Sequence, residues 1–198
     1  MRPLLGLAAI ALFCMTPGLA QQPTEQKQHH SDVFTAGPQN ESEVARKVRH
    51  ALLMLPYYSI FSDLSFQLNG GVVTLQGACP AEPPWDIKSD AQNAIKNLPG
   101  VTSVINEIKV LPLSPMDWQI RRAEQRAIYG DPEIGTKYGY QALPSIHIIV
   151  DNGHVTLDGV VDNEFDDTLV RTRANTVPNV FSVTDNLIVL NKGKKSGG

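Results

Sequence analysis

The chain has 198 residues, with 17 Lys and Arg against 20 Asp and Glu, a formal net charge of −3, and 42% apolar residues. This mildly acidic balance argues against a nucleic-acid partner, which favours a basic chain, and limits attraction to anionic lipid to local patches. Two cysteines, Cys14 and Cys79, are too few for a disulfide framework, so stability has to come from apolar cores.

Residues 1–20 read as a secretory signal. Arg2 precedes an apolar run from Leu4 to Phe13, and Pro17-Gly18-Leu19-Ala20 supplies small residues for cleavage near Ala20. The run is too short to span a bilayer, for which about 20 apolar residues are needed. Export to the periplasm or beyond is the expected localisation. A lipid anchor on Cys14 is disfavoured because bulky Phe13 stands where a small residue is needed. Cleavage would leave Cys79 as the single thiol. Residues 21–39 are rich in Gln and lack apolar periodicity, which predicts a disordered leader. His29-His30 within it have no third metal ligand at useful spacing and read as a solvated pair.

Asn40-x-x-Glu43 fits a capping box, and Val44, Val48, Ala51, Leu52 and Leu55 form one face of the helix that Pro56 stops. Leu64, Phe66 and Leu68 then alternate up to Gly70-Gly71, a pair able to take the positive φ angles of a two-residue hairpin turn. Val73 and Leu75 continue the alternation to Gly77, which marks a bulge or a close backbone approach. After Pro83-Pro84 a second helix presents Ile87, Ala91, Ala94, Ile95 and Leu98. Pro99-Gly100 ends it, Gly100 suiting the left-handed position beyond a helix, and Val101, Val104, Ile108 and Val110 form a third strand.

The linker Pro112-Leu113-Ser114-Pro115 is too short to be a flexible tether, so mutual packing of two units is expected. Ser114 as N-cap, Pro115 in the first turn and Asp117 start the next helix, which runs to about Tyr129. Met116, Ile120, Ala123, Ala127 and Ile128 are its expected core face. Roughly six extra residues around Gly135–Tyr140 follow, read as a loop. Ile146, Ile148 and Val150 then lead into Asn152-Gly153, with Val155, Leu157 and Gly159 after the turn. A last helix starts near Asn163 with Val170, Ala174 and Val177 inward, and Val177-Pro178-Asn179-Val180 leads into a strand through Val183, Leu187 and Val189. Residues 192–198 form a basic tail.

The same pattern thus occurs twice: helix, NGxVTLxG-like hairpin, helix, PGVxxV-like turn, strand. It is carried by Gly71, Val73, Thr74, Leu75, Gly77, Pro99, Gly100, Val101 and Val104, and again by Gly153, Val155, Thr156, Leu157, Gly159, Pro178, Val180 and Val183. The pattern resembles the BON domain. The second copy departs from it at Asn179, where Gly is usual, although Asn tolerates the left-handed region. Asp185-Asn186 also replaces Asn106-Glu107. The expected fold class is α+β: two tandem α-β-β-α-β domains over residues 40–112 and 113–191, each a three-stranded mixed sheet packed against two helices.

No nucleophile, metal or nucleotide signature stands out, so neither a catalytic residue nor a cofactor is assigned. Asp158, Asp162, Glu164, Asp166 and Asp167 read as an acidic helix start. His147 and His154 read as surface strand residues, and Cys79 beside Pro80 lacks a partner base. At about 100° per residue, Trp118, Arg122 and Tyr129 fall opposite Ile120, with Arg121 and Arg126 flanking them. An outward Trp and Tyr among three arginines suits a membrane or partner surface, but burial of Trp118 by the neighbouring domain is an equal alternative. The resemblance implies a non-enzymatic envelope protein, peripheral to the membrane and contacting anionic phospholipid, with a part in envelope integrity or osmotic stress. The alternative is a soluble periplasmic scaffold or chaperone-like module that binds an envelope protein or cell-wall polymer.

Overall fold

The structure, a computed structural model, describes residues 31–32 and 41–191. The signal sequence, Cys14, His29-His30, Asn40 and the tail 192–198 lie outside the described residues. The first unit comprises α1 (Glu43–Leu53), β2 (Asp63–Asn69), β3 (Val72–Pro80), α2 (Ile87–Ile95), β4 (Ser103–Asn106) and β5 (Lys109–Leu111), preceded by a two-residue strand β1 (Ser31–Asp32). The second comprises α3 (Pro115–Tyr129), α4 (Pro132–Tyr138), β6 (Ile146–Asp151), β7 (His154–Asn163), α5 (Glu164–Ala174) and β8 (Ser182–Asn191). Two mixed sheets with five helices make an α+β fold.

Both units use one strand order. An antiparallel hairpin, β2–β3 or β6–β7, is followed by a strand parallel to its second arm. Its turns take positive φ at both residues: Gly70 56° and Gly71 90°, Asn152 52° and Gly153 79°. Gly100 and Asn179 are likewise left-handed, at 95° and 67°. Gly77 and Gly159 are sites of close approach within an unbroken register, not bulges: Gly77 pairs with Leu64 and Gly159 with Ile146. A Cβ on Gly77 would lie 2.1 Å from the Asp63 carbonyl oxygen, and one on Gly159 2.0 Å from that of Ser145.

The third strand of the first unit breaks at Glu107-Ile108. The Asn106 side chain accepts from the Ile108 N–H at 3.3 Å and donates to the Lys88 carbonyl at 2.8 Å, drawing the chain toward α2. Asp185 accepts from Leu187 N–H in the same way at 3.0 Å, yet β8 runs through. The acceptor role therefore survives the Asn-to-Asp departure.

Several expectations need correction. Ser42, not Asn40, caps α1, accepting from the Ala45 N–H. Ser31–Asp32, within the leader, pairs antiparallel with β2. The extra residues after α3 hold a helix, α4, capped by Asp131 with Pro132 in its first turn. Tyr138 of α4 is buried and donates its hydroxyl to Asp166, while Lys137 bridges Asp166 and Asp162. Much of the acidic run is thereby given structural work. His147 is fully buried, not at the surface: Nδ1 lies 2.6 Å from the Ser62 carbonyl, and its ring is 5.8 Å from that of Tyr58. Register separates the two histidines, pairing His147 with Asp158 and His154 with Asp151.

The two units pack together as the short linker predicts. Each has its own apolar core, but Ile60 and Phe61, from the link between α1 and β2, belong to the core of the second unit. Lys109 Nζ meets Asp151 at 2.5 Å across the same junction.

Candidate functional site on helix α3

The site is built on α3, whose inward face differs from the apolar reading. Ile120 and Ile128 are buried as expected, but the rest of that face is Asp117, Arg121 and Glu124, while Met116 is half-exposed. For Asp117 and Arg121 the cause is the β6–β7 hairpin, since β6 is an edge strand whose outward-pointing backbone groups need partners. Along alternate residues, the Val150 carbonyl accepts from Arg121 Nη2 at 2.7 Å, the Ile148 N–H donates to the Ile60 carbonyl at 2.7 Å, and the Ile146 carbonyl accepts from the Tyr129 hydroxyl at 2.5 Å. Beyond the strand end, the Asp117 carboxylate accepts the N–H groups of Asn152 and Gly153 at 3.0 and 2.8 Å. Polar side chains on α3, with the Ile60 carbonyl of the first unit, thus supply what a further strand would.

This arrangement reassigns two of the five expected surface residues. Arg121 is buried, and burial lowers its pKa, with the charge of Asp117 opposing the shift. Tyr129 is half-buried, and burial raises its hydroxyl pKa. Neither presents its polar group outward. Trp118 is intermediate: it is 39% exposed and meets Phe61 edge-on, 5.7 Å between centroids at 68°. Part of Trp118 thus packs at the junction between units and the remainder faces solvent.

Arg122 and Arg126 remain exposed, one turn apart, and neither makes an ion pair among the described residues. They flank a groove of about 350 Å³ between α3 and the loop after α5, with Met116, Ile120 and Ala123 on one side and Pro178 on the other. Asn179 forms part of the loop wall, and its positive φ turns the chain so that Phe181, 76% exposed, stands over the Gly153 turn. Sequence reasoning missed Met116, Pro178 and Phe181 as surface elements. Met116 fell on the apolar stripe of its helix, and Pro178 and Phe181 belonged to the repeat, both of which read as packing.

One feature of the inward face is chemically unusual. Both Glu124 carboxyl oxygens are buried without a hydrogen-bond partner, and burial pushes its pKa up to about 8. The carboxyl is therefore mostly neutral at pH 7. Among the described residues no group of three or more His, Cys, Asp or Glu is placed to hold a metal ion. The surface offers guanidiniums and apolar area, which bind anions and apolar chains.

Comparison with known protein families places the BON domain on residues 40–112 and 135–191, and the chain belongs to the BON domain family. This is a membrane- and envelope-associated family of non-catalytic binding domains. No curated protein matches the chain. Among solved structures it is similar to the C-terminal domain of CdsD, a structural protein of the type III secretion system of Chlamydia trachomatis. Identity there is 13% and TM-score 0.30, covering 76% of this chain and 99% of that one. A second CdsD structure matches at 13% identity and TM-score 0.26, over 78% and 95%. At these scores the likeness carries no functional argument.

Proposed function

We propose that this protein is a non-enzymatic, exported, peripheral component of the cell envelope that binds anionic phospholipid surfaces and supports envelope integrity or osmotic stress tolerance. The observation that carries the reading is the groove on α3. Two guanidiniums without ion-pair partners among the described residues stand beside half-exposed Met116, with exposed Phe181 on the adjoining loop. A phospholipid surface offers the complementary pair, phosphate oxygens above methylene chains. Each arginine near such a surface contributes about 1 kcal/mol, and the contribution decays within a Debye length. Trp118 adds an amphipathic ring suited to the headgroup region.

Two further facts support the reading. The family is associated with membranes and the envelope. No helix among the described residues is long and apolar enough to cross a membrane, so contact through these helices is at the surface. Flotation of the mature protein with phosphatidylglycerol vesicles, against phosphatidylcholine vesicles as control, tests it. Flotation with the anionic lipid that weakens at high salt supports the proposal. Absence of flotation with both lipids favours the soluble scaffold instead.

A further inference from the structure

A second surface lies on the first unit, separate from the outward groove of α3. Tyr57 adopts φ 64°, a conformation that bulky side chains rarely take and that persists only where the surrounding fold imposes it. The result is a ring stacked on Trp85, with centroids 4.2 Å apart and planes at 32°. Both rings stay in solvent, Tyr57 at 53% and Trp85 at 41% exposure, and neither belongs to an apolar core. Beside Trp85 opens a cleft of about 220 Å³, walled by Pro80, Pro83, Ile87 and Val110 with the buried Cys79 at its base.

The polar groups at this cleft differ in how they are used. The Asp86 carboxylate is committed to capping α2, accepting from the N–H and hydroxyl of Ser89 at 3.0 and 2.6 Å. The Glu82 carboxylate makes no hydrogen bond or salt bridge among the described residues, and neither does the Trp85 indole N–H. The cleft therefore offers an aromatic face, apolar proline walls, one donor and a carboxylate that feels the Arg121 charge but makes no hydrogen bond or salt bridge among the described residues.

We infer that this cleft binds an extended, proline-containing segment of a partner protein that carries an arginine or lysine. A polyproline helix has no internal hydrogen bonds and presents flat pyrrolidine rings alternating with free carbonyls. Such segments dock in aromatic-lined grooves, where the rings pack on the aromatic faces and an indole N–H takes a carbonyl. Glu82 then receives the cationic side chain in a charge-assisted hydrogen bond. A sugar would also stack on Trp85, but it needs several converging polar groups for its hydroxyls, and the walls here are proline and aliphatic. The site is independent of the lipid reading, since it shares no residue with the α3 groove.

The test is fluorescence anisotropy of a labelled peptide of repeating Arg-Pro-Pro triplets titrated with the mature protein. Saturable binding is expected, weakened about tenfold by Glu82→Gln, by Trp85→Ala and by replacing the peptide's arginines with glutamate. Glu82→Gln preserves size at a half-buried position, so the result does not hinge on whether Trp85→Ala folds. Absence of saturable binding, or binding unchanged in Glu82→Gln, overturns the proposal. Chitohexaose quenching Trp85 while the peptide fails to bind would assign the cleft to glycan and also overturn it.

Discussion

Asp117 Oδ1 lies 2.8 Å from the backbone nitrogen of Gly153, 36 residues away, and its Oδ2 holds the neighbouring Asn152 nitrogen. One carboxylate thus joins the first turn of α3 to the tip of the β6–β7 hairpin. Arg121, one helical turn on, continues the attachment at Val150. The orientation of α3, and with it the outward placement of Arg122 and Arg126, is set by this buried polar seam together with the apolar contacts of Ile120 and Ile128.

Removing either member of the seam should destabilise the second unit. Hydrogen bonds to charged groups contribute about 1.5–3 kcal/mol, and a stranded buried acceptor adds its own cost. Asp117→Ala and Arg121→Met should each lower unfolding free energy by about 2–3 kcal/mol, and the double variant should cost less than their sum. Urea denaturation of the four proteins checks this. Losses below about 0.5 kcal/mol, typical of neutral surface changes, would remove the seam from the account.

Glu124 makes stability fall as pH rises. Its folded pKa, raised by burial to about 8 from 4.5, lies above the unfolded value, so the folded state holds a proton that the unfolded state releases. The contribution is fully present below pH 4.5 and lost as pH rises through 8. Glu124→Gln should flatten the decline in melting temperature between pH 5 and 8. A decline equal to that of the wild type would show that Glu124 does not hold the proton.

His147 acts with the opposite sign. Burial lowers its pKa to about 4 from 6.5, with the Ser62 carbonyl opposing the shift. Between these values the unfolded state binds the proton and the folded state does not, so stability falls as pH drops from 6.5 to 4, by up to about 3 kcal/mol. Because His147 lies where the first unit covers β6, acid should loosen this junction. Proton exchange of the buried amides in β6, measured at pH 7 and pH 5, should show greater loss of protection at pH 5 in the wild type than in His147→Gln. Equal loss in both would contradict the assignment.

Gly77 and Gly159 tolerate no side chain. At φ 101° and 134°, a Cβ would lie within about 2 Å of a backbone oxygen that cannot yield. Gly77→Ala and Gly159→Ala should each destabilise by about 3 kcal/mol or more, or abolish soluble expression. A change of under about 1 kcal/mol in thermal denaturation would mean that the strands shift to accommodate it.

These glycines, like Gly70-Gly71 and Asn152-Gly153 in the turns, were legible in the sequence because a close approach and a hairpin turn each demand residue types that few alternatives satisfy. The same holds for Ser114 and Asn163, both of which cap helices by accepting from the N–H three residues on. The rotation of α3 was not legible. Apolar periodicity selects the face with the most hydrocarbon, whereas the β6 edge requires donors and an acceptor, and that requirement exists only once the strand is placed. For α4 a signal was present: Asp131-Pro132-Glu133 is a helix start, passed over in the reading of the residues around Gly135–Tyr140 as a loop. Burial of His147 depends on the neighbouring unit, and the stacking of Tyr57 on Trp85 joins residues 28 positions apart with no periodic signature.

The central claim is that the outer face of α3 holds the protein on anionic lipid, and the most direct measurement is co-sedimentation of Arg122→Glu/Arg126→Glu with phosphatidylglycerol vesicles across a salt series. Both side chains are exposed and make no ion pair among the described residues, so the variant should keep the wild-type melting temperature. Its bound fraction should fall at least about tenfold at low salt, as expected for two lost cations and two added like charges. Vesicle binding equal to the wild type, with the fold intact, would contradict the account.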